Sequence, residues 1–364
     1  MQVSGAHTSF KAVFPQAAEM TYAYSNKVRQ KASSLITQLA EFITTNKANP
    51  KLKERPSLFF KDGSTVAIPD IHGDFIHLIF TLHRHGLLDK HLNLKKDFSY
   101  VCLGDIYDRG YDADVVDYWL NIQIQRGVKI HRLVGNHEMS FFARSSSGDA
   151  NLIPGNDIDK DKGDNYQVTK ALLESISKGN LLAAYLDPNK TSAGYSKLYV
   201  HSFVTCTDYE KLGQKPNLDV SIFVNELNTR FRTCGEIAYQ RFMEYMDNGN
   251  ELDWKAINKP FKADPLFDIR DSMIWRRTQA VDSDHNSTEI KVEIPNDVYQ
   301  TVGHTPIRYF IGKHSRYKPL IVGVKTGNGQ VQFTDVGIGY SCNEDDLSKP
   351  KLIINPKRAT IYKP

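Results

Sequence analysis

No run of 18 apolar residues occurs in this 364-residue chain, so no transmembrane helix is expected. Residues 1–20 hold no continuous hydrophobic stretch, and no secretory signal peptide is expected from them. Cysteine is scarce: Cys102, Cys206, Cys234 and Cys342 are scattered, with no C-x-x-C pair. That scarcity argues against a disulfide framework or zinc knuckle and for a reducing, cytoplasmic-type compartment, with Cys102 a core residue. An excess of one charge is lacking too. The 46 Lys and Arg against 42 Asp and Glu leave +4, too little to predict nucleic-acid binding. Part of that surplus (Lys349, Lys351, Lys357, Arg358, Lys363) sits at the end of the sequence and reads as a solvated tail. With 40% apolar and 24% charged residues, the chain has the composition of a globular protein able to bury a core without staples.

What is present is an alternation of patterns. Ala32, Leu35, Ile36, Leu39, Phe42 and Ile43 recur at helical spacing and predict a helix over about 17–46, packed outside the main core. From Ser64 the reading is strand 64–69, helix 75–85, strand 98–103, helix 113–126 and strand 129–134, with Gly86 and Gly127 as helix stops. Such β-α-β-α-β order predicts a parallel sheet covered by helices, with ligands beyond the carboxyl ends of its strands. Residues 145–167 are polar and read as a long surface loop. Asp157, Asp159 and Asp161 alternate there, but Gly163 and Val168 stand at the wrong positions for an EF-hand, which is rejected. A strand over 197–204 carrying His201, a helix over 221–246 and strands 298–302, 320–324 and 331–334 complete a second sheet. Residues 207–270 read as a helical insertion or cap where substrate choice could be made.

Three strings follow the first three strands: Pro69-Asp70-Ile71-His72-Gly73-Asp74, Gly104-Asp105-Ile106-Tyr107-Asp108-Arg109-Gly110 and Gly135-Asn136-His137-Glu138. Asp-x-His alone is a weak signal. Two carboxylates and an arginine between glycines, followed by an amide and an imidazole at the next strand end, point to paired divalent cations and phosphate ester hydrolysis. His77, His83, His85, His91, His131, His285 and His314 have no partner at metal spacing and read as structural or surface residues. Glu138 reads as a brace for the Asn136-His137 turn.

With His201 and Gly303-His304-Thr305-Pro306, these strings resemble the phosphoprotein phosphatase (PPP) branch of the calcineurin-like metallophosphoesterases, over about residues 64–337. The resemblance implies an α/β fold: a β-sandwich of two mixed sheets flanked by helices, with a helical insertion. It implies two divalent metals, manganese with iron or zinc as alternatives. Asp70 and His72 match ligands of the first metal and Asp105 the bridging carboxylate. Asn136, His201 and His304 match ligands of the second, with Asn136 also reaching the substrate phosphate. His137 matches the general acid, Asp108 its orienting partner and Arg109 a phosphate clamp. Trp275-Arg276-Arg277 is similar to the motif after which members place a further phosphate-binding arginine; Arg277 is favoured, with Arg276 the alternative. Phe333-Thr334-Asp335-Val336-Gly337 is similar to the closing strand of bacterial and phage members. Pro69, Tyr107 and the Ser202-Phe203 that follows His201 depart from the family's pattern.

The expected division is an N-terminal helical segment (1–55), a catalytic domain (56–340) containing the 207–270 insertion, and a tail (341–364). The function implied is a protein serine/threonine phosphatase acting on phosphorylated proteins by metal-activated hydroxide. Tyrosine phosphatase and dinucleoside polyphosphate hydrolase are the alternatives within enzymes, and a non-catalytic metal-stabilised scaffold is the alternative of another class. The cap, the loop and the departures resemble the Wip-type effector phosphatases of intracellular pathogens, which implies host protein partners and translocation into a host cell.

Overall fold

The computed structural model describes residues 25–45, 63–142, 162–213, 219–248, 253–267, 272–276, 293–305, 320–323 and 329–335. The sequence expectations for Asp157, Asp159 and Asp161, Arg277, Pro306, Val336-Gly337 and the 341–364 tail lie outside these residues.

Short runs form β1 (Thr65–Ile68), β2 (Ser99–Cys102) and β3 (Lys129–Leu133), the first two almost wholly buried and the third buried only at Arg132 and Leu133. They pair in parallel, and β4 (Leu181–Leu182) joins at the far side of β3. This first sheet is parallel in every described pairing, as the β-α-β-α-β order predicts, and with the second sheet it gives the expected α/β fold of two sheets flanked by helices. Its connections run through helices rather than hairpins, and a crossover brings each strand back in the same direction. Helices α2 (Phe75–Arg84) and α3 (Ala113–Gln125) make the first two crossovers; α4 (Asn136–Ser140) and α5 (Lys162–Ser177) lie between β3 and β4. The second sheet is the mixed one, in the order β5 (Ala184–Lys190), β6 (Ser196–Val200), β7 (Val298–Val302), β9 (Gln330–Phe333), β8 (Leu320–Gly323). Its two outer pairings are antiparallel and its central β6-β7-β9 pairings parallel.

The period of two along each strand divides the side chains between two environments. Ala67, Val101, Leu103 and Leu133 face inward and meet Tyr199 of the second sheet. Val66, Ile68, Tyr100 and Cys102 face the helices and join the main core with Phe75, Trp119 and Leu120. Helix α1 (Asn26–Thr45) buries Ala32, Ile36 and Leu39 and packs on α3 and α2, as its apolar stripe requires. Of the expected 17–46, residues 26–45 are helical and Ser25 is not, while 17–24 and 46 are not described.

Two elements differ from the sequence reading. The segment read as a loop to Gln167 enters α5 at Lys162, because Leu172, Leu173 and Ile176 supply a buried stripe that outweighs its polar first turn. His201 lies just past the end of β6 rather than on the strand. The 207–270 region contains the end of α6 (Cys206–Lys211), then α7 (Val220–Asp247) and α8 (Trp254–Ala263). Helix α7 packs on α5, α8 and β5, and its Asn228 accepts from the Ala183 and Ala184 N–H groups between the sheets.

The α5–α7 contact needs a residue without a side chain at Gly235. A Cβ there would overlap Ile176 Cγ2 and lie 2.8 Å from Ile176 Cβ, atoms fixed to the α5 backbone. Gly235→Ala is therefore expected to destabilise the protein by about 1–3 kcal/mol in urea unfolding, although alanine is the better helix former. A neutral or stabilising result would show that the two helices can separate freely.

Candidate metal centre

The parallel registers bring the carboxyl ends of β1, β2 and β3 to one edge of the first sheet, and those of β6 and β7 to one edge of the second. Asp70, Asp105 and Asn136 follow the first three strands; His201 and His304 follow the other two. All five are at most 4% exposed, as are His72 and His137.

The loops that present them are held by backbone bonds and one carboxylate. His72 N and Ile71 N donate to the Asp105 carbonyl, and Gly73 N to the Ile106 carbonyl. Glu138 Oε2 accepts from Asp105 N and Gly135 N, both at 2.8 Å, and Oε1 from Ile106 N and Tyr107 N at 2.7 and 3.2 Å. The expected brace of one turn is thus a brace of two loops. Burial and the Asp105 charge push the Glu138 carboxyl above its ordinary range. Each of its lone pairs nevertheless faces an N–H donor, so the ionised form is the one this geometry fits. His72, Asp105, Asp108, Arg109 and His304 all have φ between 48° and 72°, in the left-handed region that side chains avoid. Gly303 leaves room for a ligand: a Cβ there would overlap Asp70 Oδ1.

Asp105 lies at the centre. Its Oδ2 is 3.7 Å from both His72 Nε2 and His137 Nε2, and its Oδ1 is 3.4 Å from His201 Nε2. Burial would raise its carboxyl, but His137, His201, His72 and His304 together hold it well below the usual range. Asp70 shows the opposite balance. Burial, then the Asp335 and Asp105 charges, raise it, and its Oδ1 has no hydrogen-bond partner among the described residues while Oδ2 accepts from His304 N at 2.9 Å. His72 is pushed down by burial and by His137.

The donor set tests whether cations fit. His201 Nδ1 donates to the Leu103 carbonyl at 2.7 Å, which leaves the lone pair on Nε2. That lone pair points at Asn136 Oδ1, 3.0 Å away. His304 Nε2 lies 3.2 Å from the Trp275 carbonyl, which leaves the Nδ1 lone pair 2.8 Å from the same Asn136 oxygen. Lone pairs converge where a positive ion would sit, and backbone carbonyls fix each ring's tautomer, as metal-ligating histidines require. Asp105, His201 and His304 bring ligand atoms together in one group, and His72, Asp105 and His137 in another. The residues fit divalent metals, with nitrogen and oxygen donors and no thiolate.

Beside this centre His137 Nδ1 lies 2.7 Å from Asp108 Oδ2, and its Nε2 lies 3.5 Å from Arg109 Nη2. Burial alone would lower the His137 pKa; Asp105 and Asp108 outweigh it and raise it.

Residues 64–229 match the sequence model of the calcineurin-like phosphoesterase family. Over these residues the chain is similar to the calcineurin-like phosphoesterases. This family uses divalent metals for phosphoester hydrolysis, in keeping with the donor set. No curated protein matches the chain in sequence. Among solved structures, it is similar to a cold-active protein-tyrosine phosphatase of a psychrophilic Shewanella, at 17% identity and TM-score 0.43, covering 79% of this chain and 77% of that one. It is similar to a protein serine/threonine phosphatase from Saccharomyces cerevisiae at 13% identity and TM-score 0.39, with 84% and 77% covered. A third, the phosphatase domain of the Legionella effector WipB, has 13% identity and TM-score 0.32, with 73% and 96% covered.

The structure brings most of the expected site residues together, with one exception. Arg276, the alternative phosphate-binding arginine, turns its guanidinium onto Asp208 at 2.6 and 2.9 Å and is buried there; this corrects its expected role. Arg277 is not among the described residues. Asp335 was missed as a site residue, although it follows β9 as Asp70 and Asp105 follow their strands. The bonds from Glu138 define a test. Glu138→Gln exchanges an acceptor for an N–H facing backbone N–H groups, and is expected to cost at least about 2 kcal/mol in urea unfolding of the metal-free protein. Unchanged stability would mean that these loops hold without the carboxylate.

Proposed function

We propose that the chain is a metal-dependent protein phosphatase that hydrolyses phosphoserine and phosphothreonine. The observation that carries this reading is the pairing of an imidazole held by a carboxylate with a guanidinium 3.5 Å away, at the rim of converging ligands. A binding scaffold has no use for such a pair. Asp70, His72 and Asp105 would hold one divalent ion, and Asp105, Asn136, His201 and His304 the other. When bound, these ions would neutralise phosphate oxygens and make water acidic enough to attack at neutral pH.

The remaining work falls to this chain's side chains. Arg109 offers two parallel N–H donors to non-bridging phosphate oxygens, a geometry lysine cannot match, and Asn136 offers its amide from the other side. Water attacks phosphorus in line, giving up one proton to solvent, as the bond to the serine or threonine oxygen breaks. The departing oxygen takes the proton from His137 Nε2, and solvent later restores it. Asp108 keeps Nδ1 protonated and the ring aimed. Manganese is the ion to test first, because the hard oxygen and imidazole donors suit it. The resemblance to Wip-type effectors adds host phosphoproteins to the substrates worth testing.

Phosphate release with added manganese is expected from phosphoserine and phosphothreonine peptides, abolished by chelator and by Asp105→Asn. Turnover of phosphotyrosine peptides or diadenosine tetraphosphate alone would replace the substrate assignment, and intact manganese binding with no turnover would leave the scaffold. The dyad predicts a pH effect as well. Asp108 raises the His137 pKa, so Asp108→Asn lowers it, and the imidazolium is lost at lower pH. The alkaline limb of the rate profile is therefore expected to move to lower pH. A limb that stays in place would remove Asp108 from this role.

A further inference from the structure

Arg276 stands where a phosphate-binding arginine was expected, yet its guanidinium is engaged deep in the protein. Nη1 donates to the Phe203 carbonyl at 3.0 Å and to Asp208 Oδ2, and Nη2 to Asp208 Oδ1. Asp208 is fully buried and Arg276 8% exposed. Asp208 Oδ2 also accepts from Thr205 N and Thr205 Oγ1, capping α6. The two segments are joined twice more: Ser202 N donates to the Met273 carbonyl at 3.1 Å, and Ser202 Oγ to the Arg276 carbonyl. A guanidinium already forked onto a buried carboxylate cannot turn the same face to phosphate.

The contacts lead instead to the metal ligands. Ser202 follows His201, and Trp275, whose carbonyl lies 3.2 Å from His304 Nε2, precedes Arg276. Gly303 N donates to the His201 carbonyl at 2.9 Å. We propose that the Arg276–Asp208 pair is a positioning device for the second metal site. It locks the 272–276 turn onto the 201–208 segment, so that the Trp275 carbonyl holds the His304 ring with Nδ1 turned toward Asn136 and His201. The inference rests on the two-metal reading above. Its physical basis is that a bidentate, buried, charge-assisted pair fixes orientation as well as distance, and that removing the arginine leaves buried Asp208 with only the more distant Lys211 Nζ, 3.8 Å from its Oδ1.

The test uses manganese alone, titrated calorimetrically into the full chain after chelator treatment. Two sites are expected in the wild type. Arg276→Met and Arg276→Lys are both expected to weaken one of them by about tenfold or more and to leave the other unchanged; lysine fails because it cannot fork. Asp70→Asn is expected to weaken the other site. Ser202→Ala removes a single hydroxyl bond to the Arg276 carbonyl and keeps the test readable if the arginine variants do not fold. It should weaken the same site several-fold. Two wild-type affinities in these variants, with only a lower melting temperature, would overturn the proposal. So would intact metal binding combined with lost affinity for inorganic phosphate, which would return Arg276 to the clamp. A wild-type chain that takes up no manganese would instead sink the metal reading itself.

Discussion

The Glu138 carboxylate ties together the loops that follow β2 and β3, because four backbone N–H groups end on its two oxygens. The loop after β1 is then sewn to the β2 loop through Ile71, His72 and Gly73. This arrangement lets the chain keep four non-glycine residues of these loops, His72, Asp105, Asp108 and Arg109, in the left-handed region. Each such residue costs on the order of 1 kcal/mol or more, and persists only where the surroundings over-determine it. Asp105, Asp108 and Arg109 share one such loop, so the central carboxylate, the partner of His137 and the guanidinium are all placed by the same held backbone.

Charge is arranged unevenly across the centre. Around Asp105 stand four histidines, which favour its ionised form; around Asp70 stand Asp335 and Asp105, which disfavour it. On the other side three lone pairs, from Asn136, His201 and His304, meet at one place. A carboxylate crowded by other carboxylates and lone pairs aimed at one another are both costly when buried. Both costs are met by positive ions of small radius and flexible geometry. Neither is met by better packing, which is why the argument for metal is stronger here than the residue types alone would make it.

Much of this was legible in the sequence because the information was local. Strands β1 and β2 are short, largely apolar runs and β3 ends in one, each followed by Gly or Pro and a ligand, and the ligand strings could be read without knowing the fold. What could not be read depended on distant partners. The Leu103 carbonyl that sets the His201 tautomer lies 98 residues away, and the Asp208 that engages Arg276 lies 68 residues away. Motif position alone therefore allowed Arg276 as a phosphate ligand. Strand β5, which the sequence reading lacks, carries Asp187, Pro188 and Asn189; as an edge strand, it tolerates a proline that a central strand would not. Helix α5 was missed because its first turn is polar and its stripe is short.

Both halves of the centre come from different sheets, so its geometry depends on how the sheets are packed. Two bonds cross between them at the site: His304 N to Asp70 Oδ2, and His201 Nδ1 to the Leu103 carbonyl. Leu103 has a double position in this. Its side chain lies in the small apolar layer with Ala67, Val101, Leu133 and Tyr199, while its backbone oxygen orients a ligand. A change in side-chain volume in that layer would thus act on the ring of His201 through the main chain, without touching any ligand. The sandwich is rigid for the same reason that its interior is close-packed, and that rigidity is what keeps lone pairs converging on one place. A fold held only within each sheet would leave the two sets of ligands free to drift apart.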